Sequence, residues 1–169
     1  MTTTGHQARK RIHTPLGWVT LARSARGLSG LWFDGQKHFP AGLDAVPVND
    51  TDALLLRAEK ALQAYFAGKP FPAALLQELD PQGTPFQQDV WRALLAIEPG
   101  GSDSYGALAR KLGRPRAVRA LGAAVGRNPI SILIPCHRVL GAGGELTGYA
   151  GGIDRKTALL TLEGASFRP

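Results

Sequence analysis

Residues 79–88, LDPQGTPFQQ, limit what this chain can fold into more than any other stretch, because Pro, Gly, Gln and Thr there interrupt the periodic apolar patterns on either side. A chain of 169 residues with 44% hydrophobic content can bury a core as one domain or as two small ones. The break argues for two, over residues 1–80 and 81–169. The sequence shows no internal repeat and no low-complexity tract.

Before the break, GWVTLARSARGLSGLWF reads as two strands around a turn at residues 25–27, with β-branched and aromatic residues on both sides. Residues 52–66 read as a helix capped by Asp52, since Leu55, Ala58, Leu62, Tyr65 and Phe66 return at helical spacing. This half is expected to be a small α+β scaffold. Its histidines, His6, His13 and His38, lack ligand spacing and read as ordinary polar residues. The opening MTTTGHQARKRIH is polar and basic with no apolar region behind it, so it reads as a frayed tail and not as a secretion signal. No run has the apolar length of a membrane span, and a cytoplasmic protein is expected.

After the break the pattern turns helical. Phe86, Val90, Leu94 and Ile97 share one face of a segment that EPGG ends. SYGALARKLG follows as a short helix capped by Ser104 and stopped by Gly113. In RPRAVRALGAAVGRNP the spacing turns Val118, Leu121 and Val125 to the core and Arg116, Arg119, Ala120 and Ala123 to the other side. Two short helices around a glycine turn resemble a helix-turn-helix, and small side chains would let the second approach a groove closely. A bare helical hairpin is the alternative. Charge favours a ligand: of a net +7, the excess lies mainly after residue 85, and residues 110–138 carry seven Lys/Arg and no acid. That is the footprint of a polyphosphate partner, although a solvated basic face would look the same.

Cys136 is the chain's only cysteine, which excludes an internal disulfide, a multi-cysteine zinc site and a two-thiol redox cycle. NPISILIPCHRV reads as a turn at Asn128 and Pro129 and then an apolar strand ending at Pro135. A lone cysteine there is usually a small buried hydrophobe. Its neighbours His137 and Arg138 are hard to bury, and two cations beside a thiol would lower its pKa. In extended chain His137 would point away from the sulfur, so a water or a turn is needed to connect them. The glycine-rich GAGGELTGYAGG can lay its backbone against a flat ligand with Tyr149 as cover, before a helix DRKTALLTLEG capped by Asp154.

GTPFQQDVW, SYGALA, RAVRALG, NP, PCHRV, GYAGG and the closing K, LL and LE occur in the order and spacing of the O6-alkylguanine-DNA alkyltransferases, and the chain resembles that family over residues 83–163. TPLGWVTLA resembles the opening strand of its partner domain. The resemblance implies a ribonuclease H-like N-terminal domain and a mainly helical C-terminal domain with a winged-helix-like helix-turn-helix. It implies direct-reversal repair: one irreversible, stoichiometric transfer of an alkyl group from O6-alkylguanine, and from O4-alkylthymine, to Cys136 after base flipping. His137 is implied as the base acting through a water, Glu163 as its orienting partner and Asn128 as the hinge of the recognition helix. Tyr105 would rotate the nucleotide and bond the guanine ring, and Arg119 would fill the vacated stack. Arg116, Ala120, Ala123 and Arg138 join Tyr105 and Arg119 as DNA contacts. Pro135, Val139, Tyr149, Ala150, Gly151 and Lys156 line the pocket, the Ala150 amide binding O6 and the Val139 carbonyl reading the exocyclic amine. No cofactor and no metal are implied. The partner is double-stranded DNA, met by a monomer able to assemble cooperatively. Glu98 and Ala150 depart from the family pattern, the first at a usual proline and the second at a usual serine or glycine. A lesion-binding module without transfer, and a cysteine hydrolase, are the rival readings.

Overall fold

The computed structural model describes residues 5–169. They form an α+β protein of two compact units, Met1–Gln82 and Gly83–Pro169.

In the first unit, β1 (Ala8–Thr14), β2 (Gly17–Arg23) and β3 (Leu28–Phe33) make an antiparallel meander in that order. The part of the expected tail from Ala8 onward is therefore a strand; residues 1–4 lie outside the described residues. Its charges hid it, because only Ala8, Ile12 and Thr14 are fully buried, while its basic side chains find partners. Arg9 donates to the Val46 carbonyl at 2.8 Å, Lys10 lies 3.6 Å from Glu59, and Arg11 stacks 4.2 Å over the Trp18 ring. The β2–β3 register puts Val19 opposite Phe33 and Leu21 opposite Leu31 on one face, with Thr20 opposite Trp32 and Ala22 opposite Gly30 on the other. A side chain at Gly30 would collide with the Trp32 ring, so glycine lets that indole lie over the strand. Trp32 and Ala22 pack there with Leu43 and Val46. β3 is thus buried along its whole length and lacks polar alternation. α1 (Ala53–Phe66) packs on all three strands, and the Asp52 carboxylate caps it by accepting from the Leu54 and Leu55 amides. The four-residue α2 (Ala73–Leu76) leads to residues 78–80, which pair with Leu28.

In the second unit α3 (Pro85–Leu95) starts at a capping box formed by Thr84 and Gln87, with Pro85 in its first turn. The indole of Trp91 donates to the Ala124 carbonyl at 2.9 Å and fixes α3 against the later helix α5 (Val118–Gly126). Between them stand β4 (Asp103–Ser104) and α4 (Tyr105–Lys111), whose Ser104 cap accepts from the Ala107 amide. β4 pairs in parallel with β5 (Val139–Leu140), and α6 (Ile153–Leu162) closes the unit. The helix α6 is preceded by Gly152 at φ 95°, and Asp154, the expected cap, stands in its first turn without that role.

Among the described residues no helix is long and apolar enough to cross a membrane, and no three His, Cys, Asp or Glu side chains gather as metal ligands.

Candidate alkyl-acceptor site

The segment expected as a strand before Cys136 is a run of turns. Ile134 N donates to the Ile130 carbonyl at 3.0 Å, and Ile132 sits at φ 74°. For a β-branched residue that region costs about 1–2 kcal/mol. Burial of Ile130, Ile132, Leu133 and Ile134 offsets it. Asn128, directly after α5, braces the loop from both sides: its Nδ2 donates to the Ile134 carbonyl at 2.7 Å and its Oδ1 accepts from the Ile130 amide at 3.0 Å. The chain then enters a single 3-10 turn, Cys136–Arg138, which is the turn that the extended reading lacked.

All three residues of that turn are buried. Cys136 is 5% exposed, and its thiol pKa is not lowered as the flanking cations suggested but pushed up to about 11 by burial. Hydrogen bonding with Asn128 and Tyr149 and the positive charge of Lys156 act in the opposite direction without overcoming it. His137 is fully buried, and its Nε2 lies 2.9 Å from Glu163 Oε2. A carboxylate only accepts, so Nε2 carries the proton and Nδ1, buried with no protein hydrogen bond, keeps its lone pair. Burial holds the His137 pKa below its ordinary value, with Glu163 pulling it up and Arg138 and Lys156 pushing it down.

Arg138, expected at the DNA face, is instead an interior residue at 6% exposure. Nε and Nη2 form a fork on Glu163, both bonds 2.8 Å, and Nη1 reaches the Ile97 carbonyl at 2.5 Å. Lys156 is likewise fully buried on α6, and its Nζ donates to the Val139 carbonyl at 2.6 Å and to Thr147 Oγ1 at 3.1 Å. Burial lowers its pKa to about 8. Thr147 Oγ1 also lies 2.9 Å from the Tyr105 hydroxyl, so one hydroxyl links the start of α4 to Lys156. Sequence reasoning missed Thr147, and only its place in the glycine-rich loop could have drawn attention to it. Pro135 and Gly151 are buried, while Tyr149 and Ala150 are half-buried.

The outer surface of the helix pair carries the charge. Arg119, Ala120 and Ala123 of α5 are exposed, and so is Arg116, in the turn before the helix. Val118, expected in the core, is 39% exposed because the helix begins there, leaving Leu121, Ala124 and Val125 to pack inward. Gly122 faces the Tyr105 ring, where even an added Cβ would make only van der Waals contact.

The second unit therefore defines a class: a helix-turn-helix protein with one buried thiol beside a neutral imidazole held by a carboxylate. Residues 85–165 match the family described as 6-O-methylguanine DNA methyltransferase, DNA binding domain. The methylated-DNA–protein-cysteine methyltransferase of Mycobacterium tuberculosis is 47% identical over 91% of this chain and 90% of its own. The enzyme of that name from Methanosarcina barkeri is 43% identical over 93% of this chain and 97% of its own. Among solved structures, Mycobacterium tuberculosis OGT in complex with DNA superposes with a TM-score of 0.80 at 43% identity, covering 93% of this chain and 92% of that one. The O6-methylguanine-DNA methyltransferase of Pyrococcus kodakaraensis gives 0.68 at 28% identity, covering 93% and 99%. The chain belongs to the methylated-DNA–protein-cysteine methyltransferase family.

Proposed function

We propose that this protein repairs alkylated DNA by moving a methyl or larger alkyl group from O6 of guanine, and from O4 of thymine, irreversibly onto Sγ of its own Cys136. One observation carries the reading: the only thiol of the chain sits on a buried turn directly before an imidazole already hydrogen-bonded to a buried carboxylate. Double-stranded DNA as partner is supported by the relative crystallised with DNA and by the basic, small-residue surface of α5.

A thiol of pKa about 11 is ionised in only ~1 molecule in 10⁴ at pH 7, so the resting sulfur is a poor nucleophile. It needs a base at the moment of reaction. His137 Nδ1 fits that role through a water, since Nε2 is committed to Glu163. The sulfur attacks the alkyl carbon, the C–S bond forms, and the bond from carbon to guanine O6 breaks. The proton that left the thiol ends on guanine, so Cys136 becomes a thioether and the base is restored. No second cysteine can accept the alkyl group, and each molecule acts once.

The target atom is inaccessible inside a duplex, so the nucleotide must be flipped out. Arg119 is assigned to fill the stack, Arg116, Ala120 and Ala123 to the groove, and Tyr105 to the rotated nucleotide. The Ala150 amide would bind O6. The Val139 carbonyl already accepts from Lys156 and keeps one lone pair for the exocyclic amine. The reading includes a monomer in the cytoplasm, cooperative assembly on DNA, a ribonuclease H-like first unit and a winged-helix-like second. The three-stranded meander with its packed helix supports the former assignment, and the α4–α5 pair with the short β4–β5 ladder supports the latter. Intact mass spectrometry after mixing with duplex O6-methylguanine DNA tests the whole: one methyl mapped to Cys136 is expected, and no gain, or a gain elsewhere, refutes it.

A further inference from the structure

We infer that Arg138 is a positioning residue of the transfer reaction, holding Glu163 as a carboxylate shared with His137 and so keeping the imidazole neutral and aimed as a base. This rests on the reading of Cys136 as the alkyl acceptor.

The geometry turns all three nitrogens of Arg138 inward, away from any phosphate. Nε and Nη2 are taken by the two oxygens of Glu163, and Nη1 by the Ile97 carbonyl. Ile97 follows the C-terminus of α3, where carbonyls carry partial negative charge, so the guanidinium spans that helix end, the acceptor turn and the end of α6. Its planar fork fixes both carboxylate oxygens at once, which an ammonium cannot do. Oε2 must then meet the imidazole along a set direction.

Charge points the same way. The side chains of His137, Arg138 and Glu163 are 0%, 7% and 2% exposed, and so buried together. With neutral His137 the cluster sums to zero, and protonating the ring would put an uncompensated positive charge in the interior. Glu163 and Lys156 face the ring from α6, Arg138 and the Cys136 thiol belong to its own turn, and Glu163 alone favours the imidazolium. α3, which packs on the same turn, offers the neutral Ile97 carbonyl. Without Arg138, Glu163 would lose its guanidinium counter-ion, and the ring would hold its proton to higher pH.

The test is the pH dependence of the single-turnover rate at saturating duplex O6-methylguanine for wild type, Arg138→Met and Arg138→Lys, with DNA affinity measured alongside. In Arg138→Met the acidic limb should move upward by about one pH unit, costing about tenfold in rate on the acidic side of the limb and recovering as pH rises past it. Arg138→Lys should move the limb less, and DNA affinity should stay within about twofold in both, because no phosphate contact is lost. A uniform loss of rate with an unmoved limb, or weakened DNA binding with a normal saturated rate, overturns the proposal. If Arg138→Met does not fold, Arg138→Lys and an NMR titration of its His137 ring decide: an unshifted ring and limb refute the assignment. Failure of wild type to gain an alkyl group would instead refute the acceptor reading beneath it.

Discussion

Glu163 Oε2 accepts a hydrogen bond from His137 Nε2 at 2.9 Å, and this bond selects the tautomer that leaves the Nδ1 lone pair to act as the base. Glu163→Gln keeps the shape but removes the charge from both His137 and Arg138. Transfer should slow by about 10²–10³-fold, as for loss of assisted general-base catalysis. Leaving Arg138 without its counter-ion should also cost about 3–5 kcal/mol of stability. Affinity for DNA, assigned above to the exposed residues of α5, should be retained. Stopped-flow transfer, denaturant melts and a binding isotherm separate the three quantities. A transfer rate unchanged across neutral pH would show that Glu163 only braces Arg138.

Burial and a pKa of about 11 should together make Cys136 unreactive toward ordinary thiol reagents. Iodoacetamide at pH 7.5 should label the native protein at least about 10²-fold more slowly than the unfolded chain, given how little of the thiol is ionised. Labelling followed by peptide mass mapping measures both rates. Equal rates would mean that the turn opens freely in solution.

Asn128 holds the loop before the acceptor turn by two side-chain hydrogen bonds, to Ile134 and Ile130. Asn128→Ala leaves the buried Ile130 amide unpaired beside the left-handed Ile132, while the Ile134 carbonyl keeps the Cys136 amide at 2.8 Å, so a loss of about 1–3 kcal/mol is expected for the one orphaned group. A urea melt gives the number. Transfer should fall as well, since the same loop sets the position of Cys136.

The same residues show what could be read in advance. Helices α1 and α4 were legible because their caps, Asp52 and Ser104, are local chemistry, and α3 because Phe86, Val90 and Leu94 return at helical spacing. β1 was not, since Arg9, Lys10 and Arg11 find distant partners in Val46, Glu59 and Trp18. Residues 130–135 read as a strand because apolar burial looks alike in strand and coil, and the Asn128 bonds that coil them cannot be seen in a one-dimensional pattern. Cys136, His137 and Glu163 were legible through motif resemblance. The interior place of Arg138 was not, because arginine beside a DNA-binding helix suggests phosphate until its bonds to Glu163 and Ile97 are known.

Lys156 gives a stability signature in alkaline solution. Its folded pKa, about 8, lies below the ordinary 10.5, so between those values the unfolded chain binds a proton that the native state lacks, and stability rises with pH. The Cys136 thiol, raised from 9.0 to about 11, acts the other way over its own window. In Cys136→Ala the thiol no longer opposes the lysine, and below the range where the Tyr105 hydroxyl, raised by burial, acts against it, the unfolding free energy should rise by roughly 2 kcal/mol from about pH 8 to 10. Adding Lys156→Met should flatten that rise. A curve that stays steep in the double variant would assign it to other groups.

Arg119 separates base extrusion from chemistry. It stands exposed on α5 and makes no hydrogen bond or ion pair with the buried His137, Arg138 and Glu163. If it fills the space left by a flipped nucleotide, it acts only where there is a stack to fill. Arg119→Ala should then react almost normally with free O6-benzylguanine and lose at least about tenfold in rate on duplex O6-methylguanine, the cost of losing a little over 1 kcal/mol of transition-state stabilisation. Removing a cation also weakens attraction to phosphate, so the comparison belongs at saturating DNA. Arg119→Lys keeps the charge but not the planar, stacking guanidinium, and should recover more of the affinity than of the rate. Equal loss on both substrates in Arg119→Ala would mean that the residue supports the pocket or the fold, and the flipping role would have to pass to another group on this surface.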